Sequence, residues 1–552
     1  MASALPMPIL LVFASVAESA ALATLFPHFL PETSIYYLST RLLGLQFIGL
    51  AIYKLFIYPF YVSPLRHIPG PKGGLPLLGH GMTLLERPAG RTYVKWMKEI
   101  PNDGLIQFGG YLHENTLLVV GPKALQEVLV TKAYEFEKPS KTRDALRPSL
   151  GDGLLFLEGD GHKFVRKNIM PLFGFRQIKA LYPLFWEKSM KLRRSLEQQV
   201  AENPETGGAT SIVDISQWAI MVTLDIIGLA AMGRDFRTLE HNDDPLVQVY
   251  EELLDPSLVR KLLFVAQIFG PGDLVRSLPI PAMRRNNMIG KSLRDTCYQL
   301  LHEKRQVIAT ESEDHKDILA LCIRSNNFSD EQIVDQLLTF LAAGHETTAT
   351  ALSWASYLLA RHPNIQAALR EEIRTSIPSP IQTMSDTELS TALESAPLLN
   401  GVCNETLRLY PTIPLMSRTN PKPMTILEHQ IPAGTRFAIC PAAVNRSPEF
   451  WGDNAEHFSP ERWIDTTENG VQRPNYSGGA SSNYAFLTFN HGPRSCIGQG
   501  FARAELRCLL AALVGSFEMT MVNPGDEVEQ EGIVSLKPKG GVHLRLKALG
   551  DW

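Results

Sequence analysis

Two apolar runs open the chain. Pro8 to Leu30 is apolar or small almost throughout, broken by Glu18 and by Pro27-His28, and Leu42 to Val62 carries one charge, Lys54. Each approaches the roughly 20 residues that a helix needs to cross a bilayer. No basic segment precedes the first run, and the apolar material outlasts a cleaved signal peptide. Residues 1–62 are therefore expected to form a membrane anchor of one or two transmembrane helices, with candidates at 8–30 and 42–62 and Lys54 reaching toward an interface. Arg66, His67 and Lys72 follow, and the positive-inside tendency places the remainder of the chain in the cytosol. Residues 63–74 include Ile68-Pro69-Gly70-Pro71, where proline fixes φ and bars a helix. A stiff hinge is expected there, ahead of a globular region spanning 75–552.

Beyond the hinge, helical periodicity dominates. Asn115 to Val120, closed by Gly121-Pro122, reads as a strand. Gly161 to Lys167 reads as helical, with His162 and Arg166 on one face. Residues 180–300 are mostly helical, interrupted at Asn203-Pro204 and, within an apolar region from Leu258 to Met283, at Phe269-Gly270-Pro271-Gly272. Ser329-Asp330-Glu331-Gln332 has the form of a capping box, and apolar positions recur from there to Arg361-His362-Pro363. A helix of about 33 residues would span about 50 Å. Being apolar on most sides, it must run through the centre of the molecule. Thr425 to Ile431 reads as a hairpin, and so do Ile533–Leu536 and Val542–Leu546 paired together. The expected fold class is mainly α with a small β region.

Composition narrows the partners. A net charge of −4 over 552 residues argues against nucleic acid. The six cysteines are scattered without paired spacing, which excludes a disulfide framework and points to a reducing compartment.

Two stretches carry chemistry. Within the long helix, Ala343-Gly344-His345-Glu346-Thr347-Thr348 puts small residues, an acid and two hydroxyls where burial is costly without partners or a function. The bland reading is that Thr347 and Thr348 bond back to carbonyls four residues earlier. Near the C-terminus stands Phe489-Asn490-His491-Gly492-Pro493-Arg494-Ser495-Cys496-Ile497-Gly498. A Cys496 thiolate suits the proximal ligand of a haem iron, which needs a shielded sulfur fed by backbone N–H groups. Gly492 and Gly498 let the backbone curl under a flat macrocycle, and Phe489 walls the sulfur. Arg494 offers a forked donor to a propionate, and His162 with Arg166 could reach the same groups unless they form a solvated basic helix.

The spacing Phe489, Gly492, Arg494, Cys496, Gly498 resembles the haem-binding signature of the cytochrome P-450 family, the haem-thiolate monooxygenases. The resemblance runs from about residue 65 to the end. It implies a cytochrome P-450 fold behind the anchor, haem b with Cys496 as axial thiolate and metal ligand, and O2 activated beside the long helix. It gives Gly344 the place where a diatomic molecule lies against the backbone, Thr347 a hydrogen bond to that oxygen, and Glu346 a proton relay. Glu405 and Arg408, with Arg462, match the family's buried structural network. Arg418 would contact the second propionate, and Ala343, Ile413, Leu415, Met416, Ile533 and Leu536 would line an apolar pocket. The family often has Trp where His162 stands.

No flavin, iron–sulfur or Gly-x-Gly-x-x-Gly signature is present, so electrons must come from a separate protein. The resemblance implies an NADPH-dependent reductase on the endoplasmic reticulum membrane, with cytochrome b5 as a further donor. Lys163, Lys167, Arg503 and Arg507 are its candidate docking surface. The substrate would be a bulky apolar small molecule, hydroxylated or epoxidised in a secondary-metabolite pathway of terpenoid or alkaloid type. Two rivals remain at this level: a reductase-independent haem-thiolate isomerase or dehydratase, and a non-catalytic haem sensor. Glu346-Thr347 argues against the first, and the interrupted central helix against the second.

Overall fold

A computed structural model describes residues 7–26, 35–205, 210–240, 244, 247–249, 258–269, 272–310, 317–377, 384–532, 534–550 and 552. Helices Met7–Leu25 and Ile35–Ile52 pack side by side, and the second continues as π-helix through Val62. Ile35–Val62 is 28 residues long with mean hydropathy 1.5, sufficient to cross a bilayer, whereas the first helix is shorter than the sequence suggested. Ile215–Met232 is equally apolar but lies mostly buried, as a core helix does. Between the two N-terminal helices, Gln46 Nε2 donates to Glu18 Oε2 (2.6 Å) and Ser15 Oγ to Gln46 Oε1 (3.0 Å). Polar groups that find each other in this way need no water.

The proline segment is sewn to the domain. Gln107 N donates to Pro69 O (2.8 Å), and Asn115 Nδ2 to Ser63 Oγ (3.0 Å). A Cβ on Gly70 would meet Gln107 O at 1.9 Å, so only glycine permits this approach. Phe56 and Phe60 lay their rings against His113.

The central helix runs Asp330–Arg361, 32 residues, and begins at the expected capping box: Ser329 Oγ accepts from Gln332 N, and Gln332 Oε1 from Ser329 N. Around it pack helices Ile215–Ile227, Pro397–Leu409 and Gln499–Ser516. A four-stranded sheet, ordered Leu105–Gly109, Asn115–Val119, Arg436–Ile439, Met416–Thr419, flanks them. The hairpin at 425–431 forms between Met424–Ile426 and His429–Ile431. The last hairpin differs from expectation. His543–Ala548 pairs with Phe517–Met521 and Thr210–Asp214, not with 533–536. Residues 534–536 instead belong to a turn between Gln530–Glu531 and Lys537–Pro538, because Gly532, at φ +115°, reverses the chain.

Candidate functional site

The central helix is buried without a break over Ile333–Leu341 and again over Thr348–Ala360. In between, Ala343 is exposed and Gly344, Glu346 and Thr347 are half-buried, while His345 turns into the core. The interruption in burial therefore coincides with the polar motif. Thr347 Oγ1 donates to Ala343 O (2.8 Å) and Thr348 Oγ1 to Gly344 O (3.4 Å), so the bonding expected of ordinary helical threonines is present. A hydroxyl that donates once still has acceptor capacity, and Thr347 keeps it in the open stretch. Gly344 has a packing reason that the motif does not announce. A Cβ there would meet Ile227 Cδ1 at 2.5 Å, so the glycine admits the neighbouring helix. The most exposed position in the gap is Ala343.

Of six cysteines, Cys496 alone is accessible. Its thiol nonetheless lies among protein atoms. Burial pushes its pKa up, while the Gly498 N–H and the Arg166 guanidinium pull it down. Gly492 holds the loop at φ +70°, with Leu129 O only 2.1 Å from where a Cβ would stand, and Cys496 N donates to Phe489 O (2.8 Å). Gly498 is less constrained: its Cβ would meet only Cys496 Sγ, at 4.0 Å. Arg166 donates to Ser495 O (2.7 Å) and Ser495 Oγ (3.0 Å), so it braces the cysteine loop.

Beside the loop lies a cluster of cations. Arg494 contacts Glu158 and donates to Phe136 O (2.9 Å), and its Nε is buried without a partner. Arg418 is nearly fully buried, and desolvation, then Arg494, brings its pKa down to about 10. Lys138, which no motif marked, is lowered to about 8, by burial and then by Arg494 and Arg418 against the pull of Glu158. His162 is held near 4, chiefly by burial and then by Lys138 and Arg494, so it is neutral. Tyr134 Oη lies 3.1 Å from His162 Nδ1. If the phenol donates there, Nε2–H is left free as a neutral donor, the role an indole N–H fills at the same place. Three buried cations thus share one carboxylate, Glu158. Such a cluster, with an orphaned guanidinium nitrogen, fits a flat dianion such as a porphyrin bearing two propionates.

One segment, Thr412 to Arg418, joins the parts. Thr412 Oγ1 donates to Thr347 O (3.4 Å) at the helix gap, the half-buried Ile413, Leu415 and Met416 follow, and Arg418 reaches the cation cluster. Leu536 is buried nearby, its N–H donating to Thr412 O (2.8 Å); Ile533 lies outside the described residues. Ser535, adjacent to it, was not marked in the sequence, yet its Oγ donates to Glu346 Oε1 (3.2 Å).

Glu405 accepts five hydrogen bonds: Arg408 Nε (2.8 Å), Arg408 Nη2 (2.8 Å), Arg462 Nε (3.0 Å), Trp463 Nε1 (2.9 Å) and Ser459 N (3.0 Å). Arg408 also donates to the carbonyls of Asn445, Ala455 and His457. The candidate docking cations divide. Lys163 and Lys167 are exposed. Arg507 is buried, bonded to Asn400 Oδ1 (2.6 Å) and Tyr182 Oη (3.3 Å), and Arg503 lies over the Phe489 ring (5.3 Å). Arg507 is therefore a core group, whereas Arg503 is half-buried.

Comparison with known proteins matches residues 69–545 to the cytochrome P450 family model. The chain is 40% identical to a cytochrome P450 monooxygenase, sphH, of Aspergillus fumigatus, over 89% of this chain and 90% of that one. It is 36% identical to the cytochrome P450 monooxygenase ptmK of Penicillium ochrochloron, over 88% and 94%. It is 38% identical to the cytochrome P450 monooxygenase FUM15 of Gibberella moniliformis, over 83% of each.

Proposed function

The chain belongs to the cytochrome P450 family and is an oxidoreductase of its monooxygenase kind, and from that premise we propose that it inserts one atom of O2 into a C–H or C=C bond of a bulky apolar small molecule. Family membership brings a haem-thiolate centre, O2 and a separate electron donor. The finer assignments are haem b on Cys496, NADPH as the electron source through a membrane-bound reductase, and cytochrome b5 as a further donor. The chain is anchored in the endoplasmic reticulum membrane by its N-terminal apolar helices, with the catalytic domain in the cytosol. Residues 1–62 are the anchor, 63–74 the linker and 75–552 the catalytic domain. The pathway is one of secondary metabolism, terpenoid or alkaloid, a reading supported by the fungal relatives and the apolar lining.

Bound haem would supply O2 activation, with the Cys496 thiolate as its electron-rich ligand. The chain's own residues prepare the place for it. Cys496 presents sulfur with the Gly498 N–H beside it. Arg494, Arg418 and Lys138 would neutralise two propionates, and the His162 ring N–H would orient them. Ala343, Ile413, Leu415 and Met416 keep water from the reacting bond. Glu346 would pass protons to the Thr347 hydroxyl, its neighbour in the open stretch. The carrying observation is that the only accessible cysteine and the only gap in burial along the central helix's core belong to the two motifs. Co-expression with a reductase tests the reading. The reduced protein should show the thiolate-type CO band, lost in Cys496→Ala, and product should require NADPH. A CO band unaffected by Cys496→Ala overturns it.

A further inference from the structure

Glu346 does not stand alone in its groove. Ser535 Oγ donates to its Oε1 across 189 residues of chain. The turn that carries Ser535 is held on every side. Gln530–Glu531 pairs with Lys537–Pro538 at its base, Arg87 donates to Gly532 O, and Leu536 N donates to Thr412 O (2.8 Å). Gly532 turns so tightly that a Cβ on it would lie 1.9 Å from Ser535 O. Thr412 in turn donates to Thr347 O (3.4 Å). A closed circuit results: Glu346 to Ser535, along the chain to Leu536, across to Thr412, and back to Thr347, the residue next to Glu346.

A carboxylate on a surface rotates freely among its rotamers and spends little time aimed at any one acceptor. Here Oε1 accepts from the Ser535 hydroxyl, whose turn is tied through Gly532 and Leu536, and that contact restricts the carboxylate's rotation. We propose that Ser535 is a positioning residue for oxygen activation, orienting Glu346 so that its second oxygen gives a proton toward Thr347 Oγ1 and recovers one from solvent. This rests on the proton-relay reading of Glu346 given above.

The test uses the full-length haem protein with its reductase, with dioxygen as the probe and no organic substrate. Ser535→Ala should raise hydrogen peroxide formed per NADPH consumed about five-fold, with less O2 reduced to water. It should also change the solvent deuterium isotope effect on NADPH oxidation. Ser535→Thr, which keeps the hydroxyl, should restore both. In a Glu346→Gln background Ser535→Ala should add nothing, since the serine acts through that carboxylate. Imidazole affinity by spectral titration, the reduced CO band and thermal unfolding should match the parent. An unchanged peroxide ratio in Ser535→Ala overturns the inference. So does an effect that adds to Glu346→Gln, or one that tracks weaker imidazole binding, because either marks loop packing alone. Absence of the CO band from the parent protein would instead remove the underlying reading.

Discussion

Glu405 sets the severest test of how the catalytic domain is held together. Replacing it with Gln keeps the shape and removes the charge. Its Oε1 accepts three hydrogen bonds and Oε2 two, so a carboxamide in either orientation turns an N–H2 donor toward at least two other donors. The fully buried Arg408 guanidinium then loses its anion. Breaking a buried pair from one side costs about 3–5 kcal/mol. At about 2.1 cal/mol/K of unfolding entropy per residue, the roughly 480 residues of the family domain give about 1 kcal/mol/K. The expected fall in Tm is therefore about 3–5 °C, with faster haem loss. Glu99→Gln serves as the control, because its partner Lys95 is 4.0 Å away and both side chains are mostly exposed. That change should cost less than about 0.5 kcal/mol. Calorimetry of the purified holoprotein reads both. A Glu405→Gln protein whose Tm lies within about 1 °C of the parent refutes the claim that the uncompensated guanidinium dominates the cost.

Gly344→Ala should destabilise the protein by about 1–3 kcal/mol through collision with Ile227, and Ile227→Ala should recover part of that loss in the double variant; a single variant as stable as the parent would contradict the packing role. Gly492→Ala should abolish haem retention, since the position combines positive φ with a carbonyl at 2.1 Å, whereas Gly498→Ala should retain haem; absorbance at the Soret band separates them. Lys138 is depressed to about 8, so its positive charge is present below that value and lost as pH rises through it. Haem transfer to an acceptor apoprotein should accordingly quicken above about pH 8, and Lys138→Arg should flatten the profile. Tyr134→Phe should weaken haem retention modestly, by about 1 kcal/mol, by freeing the His162 tautomer; equal retention would count against His162 as an oriented donor.

Local signals made part of this legible. The capping box at Ser329, the proline after His362 and the apolar run between them define the central helix to within a residue, because a helix's ends and period are written in adjacent positions. The cysteine loop is likewise a short-range pattern. Its partners are not. Lys138 and Glu158 join Arg494 from far upstream, and Ser535 meets Glu346 across 189 residues. Nothing near Ser535 distinguishes it from any other loop serine. Gly344 carries a second demand that the motif does not announce: a Cβ there would meet Ile227 of another helix. Arg507, expected by resemblance on a docking surface, lies inside because flanking helices close over it. The turn at 532–536 defeats a pattern of alternating residues because one glycine angle overrides it.

The stitched linker carries a further consequence. A protein tethered by a loose leash would tumble above the lipid and meet dissolved and lipid-borne molecules alike. With Pro69 bonded to a strand, Ser63 to the next strand, and two phenylalanines of the anchoring helix wedged on His113, pitch and depth are set before any cargo arrives. With the N-terminal helices in a membrane, as proposed, the domain would keep one fixed face toward the bilayer. Lengthening the linker by a few glycines would cut that registration without touching the catalytic residues, and should shift preference from greasy compounds partitioned in lipid toward those free in solution.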